Sequence, residues 1–279
     1  MNQRYAGEIR LDFTERNGRT VASTTYRRGN SRISANIAEA GEIPYYFLIS
    51  TGGGFTEGEH YLQEISLGDR THAILTTQTP NYIYKCEGGR LTVQDHLVTI
   101  GENCALEYYI DETIPYAQAR FRQNTEIRME KGSRLILTDG ITSGWSPDGE
   151  SFQYRDVGLK TRIYMEGELL FNDFLLVNPE EEEMRTIGCF EEASCYRSAV
   201  IIDEAAGADM LEKLRSCLQT CPENTDSVRF GMSLLEHGGV VLRVLGKDPE
   251  GSYDLVQTWI RYYREQIMKW KHFELRKNR

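Results

Sequence analysis

From Gly7 to Val177 the chain alternates apolar and polar residues in one short run after another, with no helical spacing between the runs. The runs are Gly7–Phe13, Tyr61–Leu67, Ala73–Thr77, Leu91–Ile100, Ala105–Ile110, Ala119–Met129, Arg134–Leu137, Phe152–Tyr154, Leu159–Tyr164 and Glu168–Val177. A period of two is the signature of a half-buried strand, and breaks at about 8–12 residues rich in Gly, Asp and Asn are turns. Such a series folds as an all-β sandwich, barrel or solenoid. No sequence repeat of fixed length accompanies it, so a regular β-helix is not implied.

The pattern changes at Asn178. Pro179–Arg185 is an acid-rich connector, and Tyr196–Ile202 reads as another strand. Ala208–Cys221 carries Met210, Leu211, Leu214, Cys217 and Leu218 at helical spacing. Val228–Leu235 and Gly239–Leu245 form a hairpin around His237-Gly238-Gly239. Val256, Ile260, Tyr263, Ile267 and Trp270 then mark a long amphipathic helix. The expected architecture is mainly β: a body over 1–179 and an α+β part over 180–279 with two helices, packed on the same core as a single domain.

A net charge of −10 argues against duplex nucleic acid as a partner. Charge is uneven: Gly251–Arg279 holds seven Lys/Arg against three Asp/Glu, which suits a basic terminal helix docking on an acidic surface. No run is long enough to span a membrane, and the first residues lack an apolar signal core. A cytoplasmic protein with six reduced cysteines is expected.

Acidic and polar residues cluster at strand ends. Leu135–Phe152 sets Asp139, Asp148 and Glu150 among glycines and a proline. Gly52–Glu59 is a glycine cluster that would cradle phosphate at a helix start, but the next residues alternate as a strand and no Lys-Ser/Thr pair follows; a turn needing positive φ angles fits better. Its Glu57 and Glu59 remain oxygen-ligand candidates. Thr76, Thr77 and Gln78 either line a polar channel or form the wet face of a strand. Glu107, Asp111 and Glu112 lie near Arg120 and Arg122 in sequence and suggest carboxylate–Arg pairs. Cys217 and Cys221 share a helix face, as a soft-metal pair or as core thiols; their place on the apolar stripe favours the core. Trp259, Tyr263, Arg264 and Trp270 are either an aromatic–Arg anchor for a partner or a stripe packed on the β body. The histidines are scattered, and no nucleophile–base motif, Walker motif or dinucleotide fingerprint is present.

Taken in order, GEIRLDF, GGGFTEGE, LTTQTPNYIYK, GENCALEYYIDETIPYAQARFRQNT, LILTDGITSGWSPDGESF and LLFNDFLLVNP resemble the urease accessory proteins UreD (UreH in some bacteria) over residues 7–179. The last third matches in layout rather than motif. The resemblance implies a non-enzymatic, irregular β-helix-like body with a pair of helices. It implies a scaffold or chaperone in nickel delivery to apo-urease, working with a helical accessory protein (UreF) and a nickel GTPase (UreG), in complexes often built on dimers. Nickel would be in transit through a polar channel, with no tightly bound cofactor. By position, Glu59 stands for the family's Asp, Thr76, Thr77 and Gln78 match its T-T-Q, and Asp139 and Glu150 match its acidic positions. Trp145 follows Gly144 where Arg is common, which removes a carboxylate–Arg pairing there. The alternative is a β-rich carbohydrate-active hydrolase or lyase using Asp139 and Glu150, which requires both carboxyl groups to face one cleft.

Overall fold

The computed structural model describes residues 5–37 and 40–275. The strands are β1 (Gly7–Arg16), β2 (Arg19–Gly29), β3 (Ser31–Ile33), β4 (Tyr45–Ser50), β5 (His60–Leu67), β6 (His72–Thr77), β7 (Asn81–Ile83), β8 (Thr92–Ile100) and β9 (Ala105–Tyr109). They continue with β10 (Thr113–Pro115), β11 (Arg120–Met129), β12 (Arg134–Thr142), β13 (Asp156–Met165), β14 (Glu168–Val177) and β15 (Cys195–Ile202). Helix α1 (Ala208–Thr220), strands β16 (Val228–Leu234) and β17 (Gly239–Gly246), and helix α2 (Pro249–Tyr262) complete the fold.

These strands coil into two facing sheets. The first has the order β14-β13-β11-β8-β5-β1-β2, the second β16-β17-β15-β12-β9-β6-β4-β3. Their centres are parallel, because the chain passes from one sheet to the other and back before laying down its next strand. Hairpins close the ends in antiparallel fashion. In the first sheet Tyr61 pairs with Gln94, Gln94 with Gln123, and Gln123 with Leu159. Those offsets of 33, 29 and 36 residues are unequal, which explains a solenoid-like fold without a sequence period.

One edge of the coil is uniform. Residues 68–71, 101–104 and 130–133 are four-residue corners between β5 and β6, β8 and β9, and β11 and β12. The third residue of each is left-handed: Arg70 at φ 58°, Asn103 at 54° and Gly132 at 71°. The corners stack through backbone bonds, Arg70 N–H donating to Glu102 O at 2.9 Å and Asn103 N–H to Lys131 O at 3.0 Å. A Cβ on Gly132 would come within 2.4 Å of Asn103 Oδ1, so glycine is favoured at this corner by space as well as by its left-handed conformation, which Arg70 and Asn103 adopt at the other two.

Three apolar layers follow from the alternation. Leu11, Ile65, Leu75, Ile100, Leu106, Ile127, Leu135 and Val200 fill the space between the sheets. The opposite residues of the second sheet, among them Ile74, Tyr109, Ile136 and Ile201, pack against Met210, Leu214 and Leu218 of α1 and Leu255, Trp259 and Ile260 of α2. Phe55, Phe121, Phe152, Tyr154 and Phe190 close the far end of the coil. Asp248 caps α2 by accepting from the backbone N–H groups of Glu250 and Gly251.

Several expectations need correction. The final helix is shorter than its periodicity suggests: α2 passes into a π-helical turn over Tyr263–Ile267, and Trp270 lies beyond it, after Lys269 at φ 56°. Phe152–Tyr154 is not a strand, because Phe152 takes φ 61°. Asp139 is not on a turn; β12 runs on through Gly140 and Ile141 to Thr142. Arg276, Lys277 and Arg279 of the basic end lie outside the described residues.

Candidate functional site

The inward faces of β5, β8, β11 and β13 are not wholly apolar. Gln63, Gln94, His96, Gln123, Thr125 and Thr161 occupy positions in phase with the core residues Ile65, Val98, Ile127 and Ile163. Parallel register aligns them across strands. One row runs Gln63, His96, Thr125, Thr161; the second sets Gln94 beside Gln123.

The facing sheet supplies partners. Tyr108 Oη donates to Gln63 Oε1 at 2.6 Å, and Gln123 Nε2 donates to Asp139 Oδ2 at 2.8 Å. Asn81 Nδ2, at the start of β7, donates to Gln94 Oε1 at 3.1 Å. His96 Nδ1 lies 3.2 Å from Thr125 Oγ1. Within these rows two buried atoms have no protein partner, His96 Nε2 and Gln123 Oε1.

The first row ends at a cavity on each side, and the second reaches cavity-lining residues through Asn81 and Asp139. A cavity of about 250 Å³ is lined by Gln63, Thr77, Gln78 and Asn81, beside the Gly53–Gly54 turn. A cavity of about 20 Å³, room for one water, is lined by Asp139, Thr161, Asp173, Tyr196 and Ser198. Burial pushes Asp139 up to about 7, with nearby Asp173 adding to the shift, while the Gly140 N–H and Gln123 oppose it. Burial pulls His96 down to about 4. The two rows therefore carry neutral groups at neutral pH, and the acidic groups stand at the smaller cavity, Asp139 and Asp173.

The nominated residues divide sharply. Thr77 points inward, donating to Asp111 Oδ2 at 2.8 Å and accepting from the Asp111 N–H at 3.0 Å. Gln78 is exposed at the mouth of the larger cavity. Thr76 faces the helices and donates to Tyr109 O at 2.9 Å, so it does not line the vein. Glu59 is held at its turn by the Thr56 N–H and the Tyr61 hydroxyl. Glu150 is exposed on a turn ordered by Ser146 and Asp148. Of the three metal candidates only Asp139 reaches the vein, and Asp139 and Glu150 do not share a cleft, as the hydrolase alternative requires. Among the described residues no three His, Cys, Asp or Glu side chains converge to hold a metal ion.

The expected carboxylate–Arg pairs are exchanged. Arg120 and Arg122 both bind Asp156. Glu107 is instead paired with Arg264, whose Nε lies 2.7 Å from Oε2, and with His72 at 2.8 Å; the Tyr109 hydroxyl also donates to it. Glu112 pairs with Arg197 at 2.7 Å. Trp259, Tyr263 and Arg264, expected at a partner surface, are buried against the chain's own second sheet. The reason is that the terminal segment is needed to cover that sheet. Trp270 is partly buried, its ring 4.6 Å from His72. Trp145 is half exposed and lies 4.6 Å from the Tyr116 ring.

Gln63, Gln94, His96 and Gln123 were not singled out from the sequence. Their signal was present: each is a polar residue at an apolar phase of an alternating run.

A coiled two-sheet body with a polar vein and a covering pair of helices defines a class of protein without an assembled catalytic centre among its nominated residues. The chain matches the family model described as UreD urease accessory protein over residues 5–278. A urease accessory protein UreD from Streptococcus thermophilus is 41% identical over 278 residues, covering 100% of this chain and 99% of that one. Proteins of the same name from Lachnoclostridium phytofermentans and Bacillus cereus are 32% and 30% identical, over 95% and 94% of both chains. This chain belongs to the UreD family of urease accessory proteins.

Proposed function

We propose that this chain is a urease maturation factor of the cytoplasm. It binds apo-urease, a helical accessory protein (UreF) and a nickel GTPase (UreG), in a complex built on dimers, and helps deliver nickel to the urease active site. The observation that carries the transit role is the polar row from Gln63 to Thr161 between two cavities, flanked by Gln94 and Gln123, within an otherwise apolar sandwich. Amide, hydroxyl and carboxyl oxygens hold a borderline cation weakly, which suits passage rather than storage. Family membership supports the maturation role, since the relatives bear the name urease accessory protein.

The test is urease activation in cells carrying the urease operon, with this chain deleted, restored, or restored as Gln123→Leu. Deletion should abolish activation. Gln123→Leu should keep the partners on a pull-down and lower the nickel content of urease. Full activation without the chain would overturn the maturation role; full nickel loading by the folded variant would overturn the transit route.

A further inference from the structure

The oxygen-lined vein leaves one problem of chemistry unsolved. Magnesium and calcium also take oxygen ligands and are far more abundant, so a route offering mainly amides, hydroxyls and a carboxyl group separates nickel from them only weakly. Imidazole sharpens that separation, because it suits nickel and zinc and not magnesium.

We propose that His96 is the selectivity step for the metal cargo, the imidazole stop between the two cavities. The inference rests on the transit reading above. His96 is 1% exposed. In register it stands between Gln63, which lines the larger cavity, and Thr125, whose neighbour Thr161 lines the smaller one. Thr125 holds the ring through Nδ1, the arrangement that orients a metal-binding histidine. Nε2 is buried and has no partner. Gln123 Oε1, also without a partner, belongs to a diagonal neighbour on the same inward face. An open nitrogen one strand from the residue that lines the larger cavity and two strands from the one that lines the smaller makes an imidazole stop on the route, with an open amide oxygen on the same face. Burial keeps the imidazole unprotonated, so its ligand capacity is present at neutral pH.

The test uses the isolated full chain with ¹⁵N-labelled histidine. Zinc serves as a diamagnetic probe and nickel as the cargo, each titrated in buffer with millimolar magnesium. The His96 Nε2 resonance should shift with zinc and broaden with nickel, and magnesium alone should leave it in place. In calorimetry His96→Gln, which keeps a polar group of similar size, should weaken nickel binding at least tenfold and leave magnesium binding unchanged. An unmoved His96 resonance in the unaltered protein overturns the proposal, whatever the variant does. Equal nickel affinity in a folded His96→Gln protein overturns it as well. Both readouts are independent of urease activation, so a chain that matures urease with an unresponsive His96 loses this step alone.

Discussion

The two faces of the second sheet bury polar groups in opposite ways. Toward the helices, charged groups are matched: Glu107 meets Arg264, His72 and Tyr109, Arg197 meets Glu112 and the Ser252 hydroxyl, and Asp203 accepts from the Tyr263 hydroxyl at 2.7 Å. Toward the first sheet, the buried groups are mostly neutral amides, hydroxyls and an imidazole, with His96 Nε2 and Gln123 Oε1 left open, as Trp259 Nε1 is on the helix side. Charges taken out of water need complete pairing, whereas neutral groups tolerate a vacancy that water or a cation fills. One face is thus built to stay shut, the other to admit something small and polar.

Breaking the closed face should have the largest effect. Arg264→Ala leaves the Glu107 carboxylate buried with an incomplete shell, and stability should fall by about 3–5 kcal/mol in urea unfolding. A loss below about 1 kcal/mol would show that the two faces do not differ in kind. Thr77→Val removes the hydroxyl that joins the vein's mouth to Asp111, and should cost about 1–3 kcal/mol.

Titration in metal-free buffer sharpens the contrast. Asp139 binds its proton more tightly folded than unfolded, so its contribution to stability falls as pH rises from about 4 to about 7. Asp139→Asn should therefore gain stability over the parent at pH 8, by up to about 4 kcal/mol, and not at pH 4. His96 has the opposite sign. Folded, it resists protonation down to about 4 against an ordinary 6.5, so stability rises with pH across that window. His96→Gln should flatten the acid arm of the stability curve, and an unchanged arm would mean that the ring is solvated. Glu150→Ala, on an exposed turn, should change stability by less than about 0.5 kcal/mol and leave urease activation intact.

Strands with clean alternation were legible from the sequence, as were α1 and the β16–β17 hairpin. Strand β2 was not, because RTVASTTYRRG lies at a sheet edge with its residues largely exposed, so it carries little apolar contrast. Strand β4, YYFLIS, is mostly buried on both sides, and a continuous apolar run has no period to read. The site was half legible. Thr77, Gln78 and Asp139 stand at its ends, but Glu59 sits half-buried on a turn away from it and Glu150 on an exposed one. The middle was missed because a glutamine within a strand looks unremarkable until its phase against Ile65 or Ile127 is counted. Trp259, Tyr263 and Arg264 show the converse: an aromatic–basic stripe looks the same whether its cover is another protein or the chain itself.

The four-residue corners behave like the sewn spine of a book. Along that edge every leaf is fixed to the next by backbone bonds, whereas the opposite connections, 78–91, 110–119 and 143–155, differ in length. A residue added to a corner would turn all later inward positions of that strand outward and scramble both rows at once. The same addition in 147–151, an exposed turn, would be absorbed locally. That exposed turn is therefore where this scaffold accepts new sequence, such as a tag or an added recognition loop, while its interior stays in print.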